Sequence, residues 1–219
     1  MIIVCWKWKG NYPYRAAHVN QWAKMVRRYT SEDHRLICIT DDPEGVEIET
    51  IPLWDFEDIN NPRWPKSKPQ CYRRLKMFSP EMEELIGPRF MSMDIDCVIL
   101  GNIDHIVNRE EDFIINKGYH SKYNGSLWMM DAGARKEVWE DFDPITSPKL
   151  ASRYVGSDQA WISYKLKNEK TVGRREGIWS YGHCNVGEKP PEDARIIFFQ
   201  GNPKPWVCKK TWVKRAYNL

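Results

Sequence analysis

The sequence predicts an α/β protein in which a mixed β-sheet is flanked by helices. Short apolar segments typical of buried strands recur along the chain, and a strongly amphipathic helix separates the first two of them. A strand, a helix, a strand, a turn and a strand in this order are typical of the start of an α/β sheet. The hydrophobic content of 42% over 219 residues is enough for a packed core, which excludes a disordered chain. We predict one domain that spans residues 1–219.

The individual elements are predicted from apolar spacing and from turn residues. The clearest helix is at 14–29, where Val19, Trp22, Ala23 and Val26 follow the i, i+3, i+4, i+7 spacing of one helix face. Further helices are predicted at 70–78, 135–141 and 157–167, the last with Ser157 as its N-cap. The predicted strands are 2–6, 36–40, 46–51, a run through Asp94 and Asp96, 112–115, 126–130 and 195–199.

Cysteine usage and hydropathy predict a soluble cytoplasmic protein. The six cysteines form neither a C-x-x-C pair nor a regular framework, which argues against a structural zinc site and against a disulfide-stapled secreted module. No apolar stretch of the sequence approaches the roughly 20 residues of a membrane span. The first apolar strand begins at Ile2, so we expect no signal peptide and no membrane anchor.

Positive charge is concentrated in two segments, although the formal net charge is only +3. The first is the acid-free stretch between Asp58 and Glu81, and the second follows Asp193 and includes a basic aromatic tail at 205–219. Two basic segments suit a phosphate-rich ligand, and a solvated surface is the plainer interpretation of the same charges.

Asp94 and Asp96 are the most informative residues of the chain, because they close the apolar run Phe90-Met91-Ser92-Met93-Asp94-Ile95-Asp96. Carboxylates are costly among apolar residues unless they are paired or hold a metal. Residues i and i+2 of a strand point to the same face, so this spacing directs both carboxylates to one point, which suits Mn²⁺ or Mg²⁺. The alternative is a strand end that enters solvent. We interpret a second such pair, Asp141 and Asp143, as part of a loop.

Motifs of three other enzyme classes are missing from the sequence. There is no G-x-S-x-G nucleophile elbow, no G-x-x-x-x-G-K-[ST] phosphate loop and no G-x-G-x-x-G dinucleotide turn. A serine hydrolase of the α/β type, a P-loop nucleotidase and a Rossmann dehydrogenase are therefore excluded.

Six short motifs occur in a fixed order along the chain. They are Asn11-Tyr12 before the first helix, Tyr72-Arg73-Arg74-Leu75-Lys76, Asp94-Ile95-Asp96, Asn124-Gly125-Ser126-Leu127, Asp158-Gln159 and Gly201-Asn202-Pro203-Lys204-Pro205-Trp206. In this order they resemble the motifs of GT-A-fold glycosyltransferases, in the retaining group that includes glycogenin and bacterial lipopolysaccharide galactosyltransferases. The resemblance implies a GT-A-type nucleotide-sugar-binding fold. It also implies transfer of a sugar from a uridine diphosphate (UDP) sugar to an acceptor hydroxyl, with retention of configuration.

The resemblance implies roles for individual residues as well. Asp94 and Asp96 would bind Mn²⁺ or Mg²⁺ that bridges the diphosphate of the donor. The residues implied to contact the base are Asn11 and Tyr12, those implied to contact phosphate or sugar are Arg74 and Lys204, and those implied around the transferred sugar are Asn124, Asp158 and Gln159.

The chain departs from the family at the third metal ligand. The family has a histidine just before the glycine that follows the last strand, whereas this chain has Gln200 before Gly201. Either the amide oxygen of Gln200 completes the metal site, as a weaker ligand than imidazole, or His183 approaches from the preceding loop. The departure leaves open a nucleotide-sugar-binding protein without turnover. A metal-dependent nucleotidyl or phosphoryl transferase is a further alternative.

The acceptor is left open by the sequence. In related bacterial enzymes a basic aromatic tail docks on an anionic membrane surface, and basic residues with aromatics also suit a nucleic-acid backbone and its bases. A glycan, a lipid-linked glycan and a modified base in DNA are therefore alternative acceptors. A polar C-terminal helix that covers the sheet is the plainest interpretation of the segment 205–219.

Overall fold

Two β-sheets form the framework of the protein. The computed structural model describes residues 1–9, 14–54 and 71–218. The strands are β1 (Ile2–Lys7), β2 (Arg35–Thr40), β3 (Glu49–Pro52), β4 (Arg89–Met93), β5 (Cys97–Ile99), β6 (Phe113–Lys117), β7 (Tyr123–Asp131), β8 (Thr171–Val172), β9 (Ile178–Ser180) and β10 (Ile196–Phe198). The α-helices are α1 (Ala16–Arg28), α2 (Met82–Leu85), α3 (Asp104–Val107), α4 (Glu137–Glu140), α5 (Ser147–Leu150), α6 (Asp158–Lys165) and α7 (Thr211–Tyr217). Short 3₁₀ helices cover Cys71–Phe78, Arg174–Glu176 and Pro205–Val207.

The larger sheet is mixed, as the sequence predicts. Its seven strands run in the order β3-β2-β1-β4-β7-β6-β8. β1 is parallel to β2 and to β4, whereas β7 is antiparallel to both of its neighbours, β4 and β6. The smaller sheet has the order β5-β10-β9. The predicted fold class, α/β with a mixed sheet flanked by helices, is confirmed.

Both faces of the large sheet are buried, which explains why its central strands are almost continuously apolar. In β1, Ile3 and Cys5 contribute to one core cluster, and Val4 and Trp6 contribute to the cluster on the opposite face. Alternate residues of a strand point to opposite faces, so a strand buried on both sides has no polar positions to alternate with. The predicted apolar face of α1 packs on the first cluster, so this helix prediction is confirmed.

Three sequence predictions need correction at the ends of elements. The strand predicted at 46–51 begins only at Glu49, because the Val46 amide closes a turn onto the Pro43 carbonyl. The helix predicted at 70–78 is a 3₁₀ helix from Cys71, and residue 70 lies outside the described residues. Ser157 is the N-cap residue of α6, as predicted, but its hydroxyl makes no capping hydrogen bond and instead accepts the backbone N–H of Cys71 at 2.9 Å.

The C-terminal segment packs on the body of the protein. Val213 and Tyr217 of α7 are buried in the core cluster beneath α1, and the indole N–H of Trp212 donates to the Gly187 carbonyl at 3.2 Å. Trp206 stacks on His18 of α1, with ring centroids 3.8 Å apart. The segment is therefore a covering helix, whatever its exposed basic residues bind. Within the described parts of the chain, no helix is long and apolar enough to span a membrane.

The stack of His18 on Trp206 predicts a contribution to the pH dependence of stability. Burial, with a smaller effect of Arg15, lowers the pKa of His18 from 6.5 to about 4. The folded state therefore binds fewer protons at His18 than the unfolded state between these values, so stability falls as the pH drops through this window. We expect His18→Gln to lose less stability than wild type between pH 7 and about pH 4 in urea unfolding. His105→Gln, at an exposed position, is the control, and equal slopes for wild type and His18→Gln would contradict the prediction.

Candidate functional site

The candidate site lies where the ends of several strands meet. β1 and β4 are parallel, so their carboxyl ends lie at the same edge of the large sheet. The amino end of β7 lies at this edge too, because β7 is antiparallel to β4, with Met93 opposite Leu127. The Asp94 amide extends this pairing by donating to the Ser126 carbonyl at 2.8 Å. The topology thus brings Asp94 next to the Asn124-Gly125-Ser126 segment.

Asp94 and Asp96 do not share a strand, which corrects the sequence prediction. β4 ends at Met93 in the large sheet, and β5 begins at Cys97 in the small one, so both aspartates lie in the link between the sheets. The Asp96 carbonyl accepts the Phe199 amide at 2.8 Å, which brings the end of β10 and Gln200 beside it. Both aspartates line the same cavity, but the crossing between the sheets, and not strand alternation, directs them there.

A cavity of about 370 Å³ at this edge contains every predicted site residue that the structure describes. These residues are Arg74, Asp94, Asp96, Asn124, Asp158, Gln159, Gln200 and Lys204. Asn11 and Tyr12, predicted to contact the base, lie outside the described residues. The fold therefore gathers these side chains from five separate parts of the chain.

Arg74 is the central cation of the cavity wall. Its Nη1 contacts Asp94 Oδ1 at 2.5 Å, and its Nε and Nη2 contact Asp158 Oδ2 at 2.7 and 2.5 Å. Nη2 also donates to the Gly125 carbonyl at 2.8 Å. Burial alone would lower the pKa of Arg74, but Asp158 and Asp94 outweigh it and raise that pKa. Arg74 therefore joins the two carboxylates, and most of its donors already have protein partners.

Gly125 permits this close approach. A Cβ atom at position 125 would lie 2.6 Å from Arg74 Nη2 and 3.1 Å from Asp158 Oδ2. Any larger residue would therefore push the guanidinium away from its partners. The glycine of the Asn124-Gly125-Ser126-Leu127 motif has a physical role in leaving room for the ion pair.

The amides beside Asp158 are held in fixed orientations. Gln159 Oε1 accepts the Gly125 amide at 3.1 Å, and its Nε2 donates to the Val155 carbonyl at 2.8 Å. Asn124 Oδ1 accepts the Ser126 amide at 2.9 Å. These contacts assign the oxygen and nitrogen of each amide through their backbone partners. This part of the wall presents one carboxylate and two oriented amides.

Asp96 is paired with Lys204 on the opposite side of the cavity. The Lys204 ammonium donates to Asp96 Oδ2 and, at 3.3 Å, to the Phe199 carbonyl. The Tyr14 hydroxyl lies 3.4 Å from the same Asp96 oxygen. The side chains of Asp96 and Lys204 are each only 10% exposed. This ion pair is thus enclosed.

Among the described residues that line the cavity, carboxylates outnumber cations. Asp94, Asp96 and Asp158 face Arg74 and Lys204, so this described lining carries one more negative than positive charge. Desolvation raises the pKa of Asp94 to about 6, opposed by Arg74 and reinforced by Asp96 and Asp158. The Asp94 side chain is still 29% exposed, so a ligand can reach it. An excess carboxylate charge among oxygen donors fits a hard divalent cation.

The third metal ligand stays a prediction. Gln200 lines the cavity, and its Oε1 accepts the Ser180 hydroxyl at 2.5 Å. His183 lines it too, and its ring stacks on Tyr119 with centroids 4.9 Å apart. Among residues 1–9, 14–54 and 71–218, no three His, Cys, Asp or Glu side chains form a group that could hold a metal. Asp94 and Asp96 would hold the ion, with the second lone pair of the Gln200 oxygen as the predicted further donor.

Comparison with known proteins assigns the fold. Neither a protein-family model nor a curated protein sequence matches the chain. Among solved structures it is similar to the galactosyltransferase LgtC in complex with donor and acceptor sugar analogs, with a TM-score of 0.65 and 14% identity over 100% of this chain and 94% of LgtC. This chain has a glycosyltransferase fold of the GT-A type.

Two further GT-A neighbours are longer than this chain. The glycosyltransferase GlyE of Streptococcus pneumoniae TIGR4 has a TM-score of 0.64 and 10% identity over 99% of this chain and 60% of GlyE. The bifunctional glycosyltransferase WbbM has a TM-score of 0.57 and 10% identity over 99% of this chain and 51% of WbbM. The GT-A fold accounts for nearly the whole of the present chain.

Three aromatic residues that were not predicted from the sequence also line the cavity. Trp6 and Trp8 line the cavity because they lie at the carboxyl end of β1, and Tyr14 lines it from just before α1. Tyr14 follows the Asn11-Tyr12 motif by two positions, which was a usable signal. Trp6 and Trp8 gave no such signal in the sequence, because tryptophans in or next to an apolar strand are expected to be core residues.

Proposed function

We propose that this protein is a glycosyltransferase that moves a sugar from a nucleotide sugar, a UDP-sugar, to an acceptor hydroxyl. The observation that carries the proposal is that one cavity contains the Asp94 and Asp96 carboxylates beside Asp158 and Gln159, with Arg74 joining the two groups. The GT-A neighbours support it, since LgtC is a galactosyltransferase and one structure of LgtC is an active-site variant in which glutamine is replaced by glutamate.

The leaving group determines the role of the metal side of the cavity, which is the part around Asp94, Asp96 and Lys204. Breaking the bond between the sugar and the diphosphate places negative charge on the departing phosphate oxygens. Lys204 provides an ammonium group at this side, and preorganised positive charge stabilises such a transition state. Mn²⁺ or Mg²⁺ held by Asp94 and Asp96, with Gln200, would supply further positive charge there.

The sugar side of the cavity, which is the part around Asn124, Asp158 and Gln159, has to stabilise positive charge. The anomeric carbon becomes oxocarbenium-like as the bond breaks, as in glycoside hydrolysis. Asp158 and Gln159 offer a carboxylate and an oriented amide for this charge, with Asn124 beside them. For a retaining reaction, either Asp158 and Gln159 act on the back face of the sugar or the acceptor attacks from the front face. The alternative acceptors are a glycan, a lipid-linked glycan and a modified base in DNA.

Loss of metal-dependent donor binding in Asp96→Ala is the direct test of the donor site. A ligand at about 100 times its dissociation constant adds roughly 2.7 kcal/mol of stability, so wild type should melt at a higher temperature with one nucleotide sugar and Mn²⁺ or Mg²⁺. Chelator should abolish the shift, and so should Asp96→Ala. The matched control is Asp141→Ala, in the other Asp-x-Asp pair, whose carboxylate forms a surface ion pair with Lys165. A shift that persists in Asp96→Ala would contradict the assignment.

A nucleotide-sugar-binding protein without turnover is the second candidate. The hydrogen bond from Ser180 to Gln200 favours it, because it already uses one lone pair of the predicted third ligand. Incubation with the donor alone distinguishes the two candidates. An enzyme hydrolyses the donor slowly even when no acceptor is present, whereas a binding protein does not. A nucleotidyl or phosphoryl transferase would instead split nucleoside triphosphates.

A further inference from the structure

Lys204 forms an ion pair with Asp96, whose carboxylate a metal ion would need as a ligand. Its ammonium contacts Asp96 Oδ2, the oxygen that also lies 3.4 Å from the Tyr14 hydroxyl. Both partners of the ion pair are nearly buried, so water screens their attraction only weakly. Arg74 does not neutralise the charge of Asp96, because its guanidinium is bound to Asp94 and Asp158. Among the residues that the structure describes, Lys204 is therefore the close cationic partner of Asp96.

A divalent cation at Asp96 and the Lys204 ammonium would compete for one carboxylate. Both would lie against the same enclosed group, where like charges repel strongly. The metal would therefore bind more tightly once the ammonium group has left Asp96, and a displaced ammonium in this cavity needs another anion. The diphosphate of the donor is such an anion, whereas the Phe199 carbonyl, to which Lys204 already donates at 3.3 Å, is neutral.

The backbone around Lys204 is anchored, so the exchange needs only side-chain movement. Lys204 directly precedes the 3₁₀ helix Pro205–Val207. Trp206 in that helix packs on His18, Tyr14 and Tyr217, with ring centroids 3.8, 5.6 and 6.2 Å away. The lysine side chain has a flexible four-carbon stem with a compact charge at its end. It can therefore turn from Asp96 towards a phosphate while its backbone stays in place.

We propose that Lys204 is an internal cation that blocks Asp96 until a diphosphate draws it away, so that the metal and the nucleotide bind cooperatively. The proposal rests on the proposed function only for the identity of the nucleotide. Binding linkage is reciprocal, so the metal raises nucleotide affinity by the same factor by which the nucleotide raises metal affinity. Part of that factor comes from the release of Asp96 by Lys204. Without the ammonium, the metal no longer needs the nucleotide to open its site.

The test is calorimetric titration of Mn²⁺ in the absence of any nucleotide. Lys204→Met removes the charge and keeps the length, and we expect it to bind Mn²⁺ alone at least about tenfold more tightly than wild type. Lys210→Met is the matched control, because Lys210 lies in the same segment but donates to the Val186 carbonyl, and it should bind Mn²⁺ as wild type does. Lys204→Gln provides a second uncharged variant if Lys204→Met does not fold.

Adding UDP separates this proposal from the proposed function. Wild type should bind Mn²⁺ more tightly with UDP, and this gain should shrink in Lys204→Met. Tighter Mn²⁺ binding by Lys204→Met with no UDP binding in any variant would support the block and count against the nucleotide-sugar donor. Equal or weaker Mn²⁺ binding by both Lys204 variants, or no Mn²⁺ binding to any variant, would overturn the proposal.

Discussion

Replacing Arg74 with methionine is expected to lower the free energy of unfolding by about 3–5 kcal/mol. The Asp158 side chain is only 4% exposed, and its Oδ2 accepts two bonds from Arg74. Without the guanidinium, this carboxylate stays buried and has lost its charged partner, and the Gly125 carbonyl loses a donor as well. Chemical unfolding of wild type and Arg74→Met measures the difference directly.

The neighbouring Arg73 provides a matched control for this prediction. Its side chain is partly exposed, with the guanidinium 5.2 Å from the centre of the Trp8 ring, so solvent can hydrate the groups that it leaves behind, unlike the buried partners of Arg74. Arg73→Met should therefore cost much less than Arg74→Met. The double variant Arg74→Met with Asp158→Asn should recover part of the loss, because it removes the unpaired charge. Equal losses in the two single arginine variants would contradict the central role of Arg74.

Asp158→Asn is expected to lower the turnover of the donor by about 10²-fold or more while leaving UDP affinity within a few-fold of wild type. Asparagine has the shape of aspartate and can still accept bonds from Arg74, but it has no charge to offer the anomeric carbon. An interaction made mainly in the transition state lowers kcat more than it lowers ground-state binding. Initial rates of donor hydrolysis and calorimetry with UDP give the two quantities.

Gln159→Ala tests the alternative assignment of this role. If the amide oxygen of Gln159 stabilises the charge, Gln159→Ala should show the large loss of turnover and Asp158→Asn a small one. If both residues act together, the two single variants should each show most of the loss of the double variant, because residues that act as a unit are not additive. Wild-type turnover in Asp158→Asn would exclude the carboxylate from the reaction.

Much of the site was predictable because each motif can be recognised in the sequence without knowing which residues its side chains contact. The motifs in the described part of the chain lie near strand ends or in short helical segments, and in α/β folds ligands gather at the carboxyl ends of strands. Arg74, Asp158 and Lys204 were identified from the resemblance of their motifs to those of GT-A-fold glycosyltransferases, and all three line the cavity. Their partners were not predictable, because the ion pair of Arg74 with Asp158 spans 84 residues and that of Lys204 with Asp96 spans 108.

The role expected for Arg74 illustrates the difference. Resemblance implies that it contacts phosphate or sugar, and that remains a prediction. Its guanidinium makes bonds to Asp94, Asp158 and Gly125, so it also fixes the distance between the Asp94 and Asp158 carboxylates. The planar guanidinium makes four such contacts at once, more than the three N–H donors of a lysine ammonium could supply.

The sequence by itself determined the α/β class, the first strand and helix, and the motif residues that line the cavity, because apolar periodicity and short motifs are local properties of the chain. Tertiary structure alone decided how Asp94 and Asp96 reach that cavity. The chain leaves one sheet after Met93 and enters the other at Cys97, and hydrogen bonds to Ser126 and Phe199 hold the link between them. It also decided which cation meets which carboxylate, since charges far apart in sequence become neighbours only when strand pairing fixes their positions.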